Sequence, residues 1–153
     1  MPVAYLDVPS RLTVDIKKQL VKDVAEFIHQ AYKIPDTRVF LREWTAEQIS
    51  VDGELGRPLR PICNFFVPPG LPAEAKRQLV TRVSSAISEA CDLAREDVSL
   101  PSGTKVSTRW VLAFFSEFTL EQAALDELMA FENPMVLEST EAAMQARAAG
   151  TQS

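Results

Sequence analysis

The chain has 153 residues, 46% of them hydrophobic, which is enough for one domain with a buried core. Its 16 basic and 21 acidic side chains give a formal charge of −5 and no basic stripe, so nucleic acid is not an expected partner. The longest strongly apolar run, Trp110 to Phe115, falls far short of the roughly 20 residues of a membrane-spanning helix, which argues against a membrane partner.

The N-terminus reads MPVAYLDVPS, with neither a basic n-region nor a long apolar h-region, and a cytoplasmic location is expected. Cys63 and Cys91 stand apart, without a CxxC pair or a histidine cluster, and read as core thiols rather than metal ligands or a disulfide.

Taken in order, Val3 to Val8 is short, apolar and rich in β-formers, and Pro9, Ser10 and Arg11 end it as a strand. Thr13 suits an N-cap. Ile16, Leu20, Val24, Ile28 and Ala31 then follow at helical spacing, so one apolar stripe can lie on a sheet, and the helix should stop before Pro35. Thr37 to Trp44 reads as the strand returning parallel to the first, which makes one β-α-β unit.

The segment from Pro61 repeats the segment from Pro2 at one offset of 59 residues. Leu12/Leu71, Lys17/Lys76, Gln19/Gln78, Leu20/Leu79, Val21/Val80, Val24/Val83 and Ile28/Ile87 all fall on it without a gap. The second unit therefore has a strand from Ile62 to Val67, Pro72 in the first helical turn, an apolar stripe through Leu79, Val83, Ile87 and Ala90, and a return strand from Val106 to Phe115. An insertion around Pro101, Ser102 and Gly103 sets it apart from the first. Thr119 and Gln122 form a capping-box pattern that predicts a short helix over 119–131, and the Ala- and Ser-rich segment 136–153 reads as a loosely held, flexible tail.

The fold class expected is α+β, one domain over 2–135. Its units, 2–60 and 61–118, give a four-stranded sheet with two helices on one face. The other face, carrying Phe65, Val111 and Ala113 or their neighbours, would be bare and apolar, and a homo-oligomer would cover it. Trp44 and Trp110 read as core rather than pocket residues.

Pro2 is small enough for aminopeptidase to remove Met1, which leaves a secondary amine opening a strand. An α-amino group titrates near ~7.7–8.0, and an apolar, cation-lined pocket lowers that value, so the neutral amine becomes a base near neutrality. Pro61 holds the matching place, but its nitrogen is a tertiary amide and can be neither base nor nucleophile. Position alone also allows Pro2 to be an ordinary second residue.

With Pro2 and the repeat in view, the chain resembles a double-length member of the tautomerase superfamily over roughly residues 2–120. RVFLREWTAEQISVDGE, Arg38 to Glu54, is similar without a gap to the corresponding end of 4-oxalocrotonate tautomerase. The length, the RLT at Arg11 to Thr13, His29 and the SEF at Ser116 to Phe118 look closer to the cis-3-chloroacrylic acid dehalogenase branch.

The resemblance implies a cofactor-independent isomerase of small 2-oxo or enol carboxylic acids, assembled as a homotrimer, with Pro2 as the general base and no metal. It implies Arg38 as the group that binds a substrate carboxylate and polarises a carbonyl, and Arg11, after a one-residue shift, as a second carboxylate binder. Ile49 takes the place of a family aromatic that keeps the pocket apolar. His29 and Glu117 match a histidine and a water-activating carboxylate of the dehalogenase branch, which would make the enzyme a hydratase or dehalogenase with Pro2 as general acid. Their plainer readings are a helix-surface residue and a solvated strand end. Where the dehalogenase and malonate semialdehyde decarboxylase branches carry an arginine pair, this chain has Val67, Pro68, Pro69, Gly70 and Leu71. Arg38, Arg11 or Arg109 would then have to hold the substrate carboxylate. A third reading is a catalytically silent binding or assembly protein on the same fold.

Overall fold

The computed structural model describes residues 1–57 and 60–150. Strand β1 (Val3–Pro9) leads to helix α1 (Val14–Tyr32), and the chain returns through β2 (Arg38–Trp44), parallel to β1. The Thr13 hydroxyl caps α1 by accepting the Ile16 N–H, and Lys33 ends it in the left-handed region, φ 58°. A 3-10 turn at Ala46–Gln48 and the small hairpin β3 (Ser50–Val51) and β4 (Glu54–Leu55) close the first unit.

The second unit repeats the plan with β5 (Ile62–Val67) and α2 (Ala73–Ala90). The insertion folds as a hairpin of β6 (Glu96–Ser99) and β7 (Lys105–Thr108), and the return strand β8 runs over Leu112–Glu117. The single strand expected over Val106 to Phe115 is thus broken into two at Trp110, whose backbone is left-handed at φ 57°. A continuous run of β-formers hid that break, because composition does not report a turn made by a bulky residue.

Pairing in the order β2-β1-β5-β8 gives one mixed sheet, with β1 antiparallel to β5 and each outer strand parallel to its inner neighbour. The register is the same at both ends: the Arg38 N–H donates to the Pro2 carbonyl at 3.0 Å, and the Leu112 N–H donates to the Pro61 carbonyl at 3.0 Å. Leu20, Val24 and Ile28 of α1 and Leu79, Val83 and Ile87 of α2 pack with Ala4, Leu6, Val8, Cys63, Phe65 and Val67 of the sheet into one core. Two helices on one face of a four-stranded sheet is the expected arrangement.

The bare face has the opposite parity from the residues first named for it. Phe65 is fully buried under the helices, stacked on Phe115 at 4.8 Å, while Phe40, Phe66 and Phe114 are 47%, 40% and 51% exposed on the other side. ICNFFV is apolar at both parities, so alternation cannot choose a face.

Beyond β8 no helix spans 119–131. A 3-10 turn at Leu120–Gln122 is followed by the hairpin β9 (Ala124–Leu125) and β10 (Leu128–Met129). The capping box at Thr119 and Gln122 is present, but it opens one turn only, as the same pattern at Thr45 and Gln48 does. The segment expected to be loosely held is instead helix α3 (Pro134–Gly150), which buries Val136 and Ala143. Its remaining residues are mostly exposed, and Ala, Glu, Gln and Met are good helix formers, so a polar, Ala-rich composition does not by itself report the absence of a helix.

Candidate functional site

Pro2 is fully buried at the head of β1, its carbonyl tied to β2. Met1, just ahead of it, lines a cavity of about 480 Å³. Besides Met1, the walls come from Ile34 after α1, Pro68 to Gly70 after β5, Phe118 after β8, Leu125 and Phe131 around the hairpin of β9 and β10, and Met144 and Arg147 on α3. The lining is mostly apolar, which suits a small organic molecule better than a solvated ion.

The terminal amine of the full-length chain, on Met1, is held below its ordinary value of 8.0, chiefly because burial penalises its charge. Asp36 opposes that shift and Arg38 reinforces it. Arg38 grips Asp36 through two hydrogen bonds, Nη2 to Oδ2 at 2.9 Å and Nε to Oδ1 at 3.2 Å, and its Nη2 also lies 3.9 Å from the Met1 sulfur. This pairing keeps the Asp36 carboxyl below the usual carboxylate range and the Arg38 guanidinium above its own.

Tyr32, fully buried at the end of α1, has a hydroxyl with no hydrogen-bond partner among the described residues. Burial pushes its phenol well above the usual range, the charge of Glu117 adds to that, and Arg147 opposes it. Tyr32, Glu117 and Arg147 therefore share one electrostatic neighbourhood beside the cavity.

The sequence candidates divide between two ends of the sheet. Pro2 and Arg38 meet at the head of β1. Glu117 ends β8 nearby but is ion-paired with Lys76 on α2. His29 is exposed on the last turn of α1, its Nδ1 3.2 Å from the carbonyl of Ile34, behind the cavity wall. Arg11, Ile49 and Arg109 fall elsewhere. β1 spans seven residues at ~3.3 Å each, so Arg11 lies roughly 20 Å from Pro2, donating to the Cys91 carbonyl at 2.7 Å. Because β1 and β5 are antiparallel, that end of the sheet is the Pro61 end. There Arg109 lines a second cavity of about 310 Å³ with Arg60 and Trp110, the latter a pocket residue rather than a core one. Ile49 lies two residues before Val51, which lines the same cavity.

Sequence reading missed Arg147 and Tyr32. The signal for Arg147 was present: Val136, Thr140, Met144 and Arg147 recur at helical spacing, and all four face the Pro2 cavity. Among the described residues no group of three or more potential metal ligands occurs, and no helix is long and apolar enough to cross a membrane.

No family model and no curated protein matches the chain by sequence. Solved structures do match by shape. A fused 4-OT solved as a wild-type symmetric trimer is 19% identical, with a TM-score of 0.68 over 85% of this chain and 97% of that one. Pt0534 inactivated by 2-oxo-3-pentynoate is 18% identical, with a TM-score of 0.59 over 83% and 94%. Malonate semialdehyde decarboxylase, described with decarboxylase and hydratase activities, is 14% identical, with a TM-score of 0.57 over 82% and 91%. The fold is the double-length tautomerase fold, two β-α-β units in one chain.

Proposed function

We propose that the mature chain is a tautomerase-superfamily isomerase of small 2-oxo or enol carboxylic acids, with the Pro2 amine as its general base. The observation that carries this reading is the burial of Pro2 directly behind Met1, which lines a mostly apolar cavity together with Arg147. The neutral amine takes the proton from the enol oxygen and returns it to the adjacent carbon. Arg38 balances the enolate charge next to the amine, and Arg147 takes the substrate carboxylate, where a planar guanidinium can bind both oxygens. No cofactor enters this scheme.

Assembly as a homotrimer in the cytoplasm belongs to the same reading. The aromatic face of the sheet needs a cover, and the fused 4-OT neighbour is a trimer. The water-activating alternative has less support, since Glu117 is committed to Lys76 and His29 faces solvent.

The test begins with the intact mass of the purified protein, which should lack Met1. Phenylenolpyruvate and 2-hydroxymuconate are then assayed. Pro2→Ala should lower kcat by ~10²–10⁴ with the melting temperature unchanged. A mature chain that keeps Met1, or a Pro2→Ala variant as fast as the parent, overturns the reading.

A further inference from the structure

The two cavities are counterparts. Met1 and Ile34 line the first, and Arg60 and Leu93, each 59 residues further on, line the second. The return strands and hairpins repeat at 74 residues, and on that offset Leu125 of the first cavity matches Val51 of the second. Asp36 and Trp110 also match, both left-handed at φ 57°. Asp tolerates that conformation, whereas a bulky aromatic does so only where its surroundings hold it.

What differs is the chemistry. The Pro61 nitrogen is an amide, so the second cavity has no base, but it has gained arginines. Arg57 is paired with Glu54, as Arg38, Arg42 and Arg77 are paired with Asp36, Asp7 and Glu74. Arg60 and Arg109 have no carboxylate partner among the described residues. The Arg60 guanidinium lies 3.9 Å over the Trp110 ring, and Arg109 Nε is buried without an acceptor. Two acids share the lining, Asp92 and Glu96, the latter accepting the Trp110 indole N–H at 2.7 Å, against three arginines, Arg57, Arg60 and Arg109.

A buried guanidinium N–H without an acceptor is a costly arrangement unless a ligand supplies one. We infer that the Pro61 cavity is a second, non-catalytic site for a small organic carboxylate, gripped by Arg60 and Arg109 and set against Val51, Leu93 and Trp110. Val51, Leu93, Ala94 and Trp110 give the otherwise charged lining an apolar side, which favours an organic anion over inorganic phosphate. The site stands whether or not Pro2 turns substrate over.

Trp110 reports on it directly, because Trp44→Phe leaves it as the one tryptophan in the chain. In that background malonate should produce a saturable change in Trp110 emission, unaffected by Pro2→Ala. Arg109→Gln should weaken the response about tenfold or more, as expected for a lost charge-assisted bond. Arg60→Gln, at the cavity mouth, provides a second variant if Arg109→Gln melts early. No saturable response at tens of millimolar malonate, a response unchanged in both arginine variants, or a response to inorganic phosphate alone would overturn the assignment.

Discussion

Gly70 takes, in the wall of the Pro2 cavity, the repeat position that Arg11 holds at the other end of the sheet. The Met1 end of the fold thus lacks the arginine that the repeat would have given it. Helix α3, which has no counterpart in the first unit, brings Arg147 to that cavity instead.

Arg147→Gln should raise KM for a carboxylate-bearing substrate by about 10–100-fold, in line with the loss of one hydrogen-bonded charge. Steady-state kinetics on an acid and on its neutral ester separate this role from a general one: the ester should be far less affected.

The base works unprotonated, so kcat/KM should climb with pH through the pKa of the Pro2 amine. In the full-length chain Asp36 holds the proton on the Met1 amine and Arg38 repels it, and the same two charges border the residue that follows. Asp36→Asn should move the ascending limb to lower pH, and Arg38→Gln should move it higher. A pH profile of each variant checks the sign.

Tyr5 stacks on Phe40 at 5.1 Å and meets Phe66 edge-on at 5.6 Å, all on the sheet face away from the helices. In the proposed trimer a charge placed there would be buried by a neighbouring copy. Phe66→Arg should shift the protein from trimer to monomer in light scattering while the far-ultraviolet spectrum stays unchanged. A trimer that survives the substitution would place the interface elsewhere.

Two buried rings under the helices should respond oppositely. Phe65→Ala removes a fully buried side chain stacked on Phe115 and should cost about 3–5 kcal/mol. Tyr32→Phe removes a buried hydroxyl with no partner and keeps the packing, so it should be neutral or stabilise by about 1 kcal/mol. Urea unfolding measures both.

The two β-α-β units were legible because periodicity and repetition are local: α1 buries Leu20, Val24 and Ile28 of its stripe, leaving Ile16 exposed, and α2 buries Leu79, Val83 and Ile87. The sheet parity was not, since Phe65 and Phe66 are chemically identical neighbours and only packing tells them apart. The capping box at Thr119 promised a helix, yet its twin at Thr45 carries the same four-residue logic into a 3-10 turn. Reading those two segments together would have corrected the assignment. Pro2 and Arg38 could be paired from sequence because a parallel β-α-β unit brings strand heads together. Arg11, Ile49 and Arg109 could not be placed, because antiparallel pairing between the units sends them to the opposite end. Arg147 was hidden in a segment whose composition reads as solvent-loving, although its contacts recur every third or fourth residue.

The peptide bond that joins Arg60 to Pro61 fixes a stoichiometry. If Pro2 is the reactive amine proposed, then however many copies assemble an electrophile directed at it can load each polypeptide once, since the nitrogen at the mirrored position has its lone pair tied up in resonance. Two shorter chains, each with its own free end, would accept twice as much label for the same mass of protein.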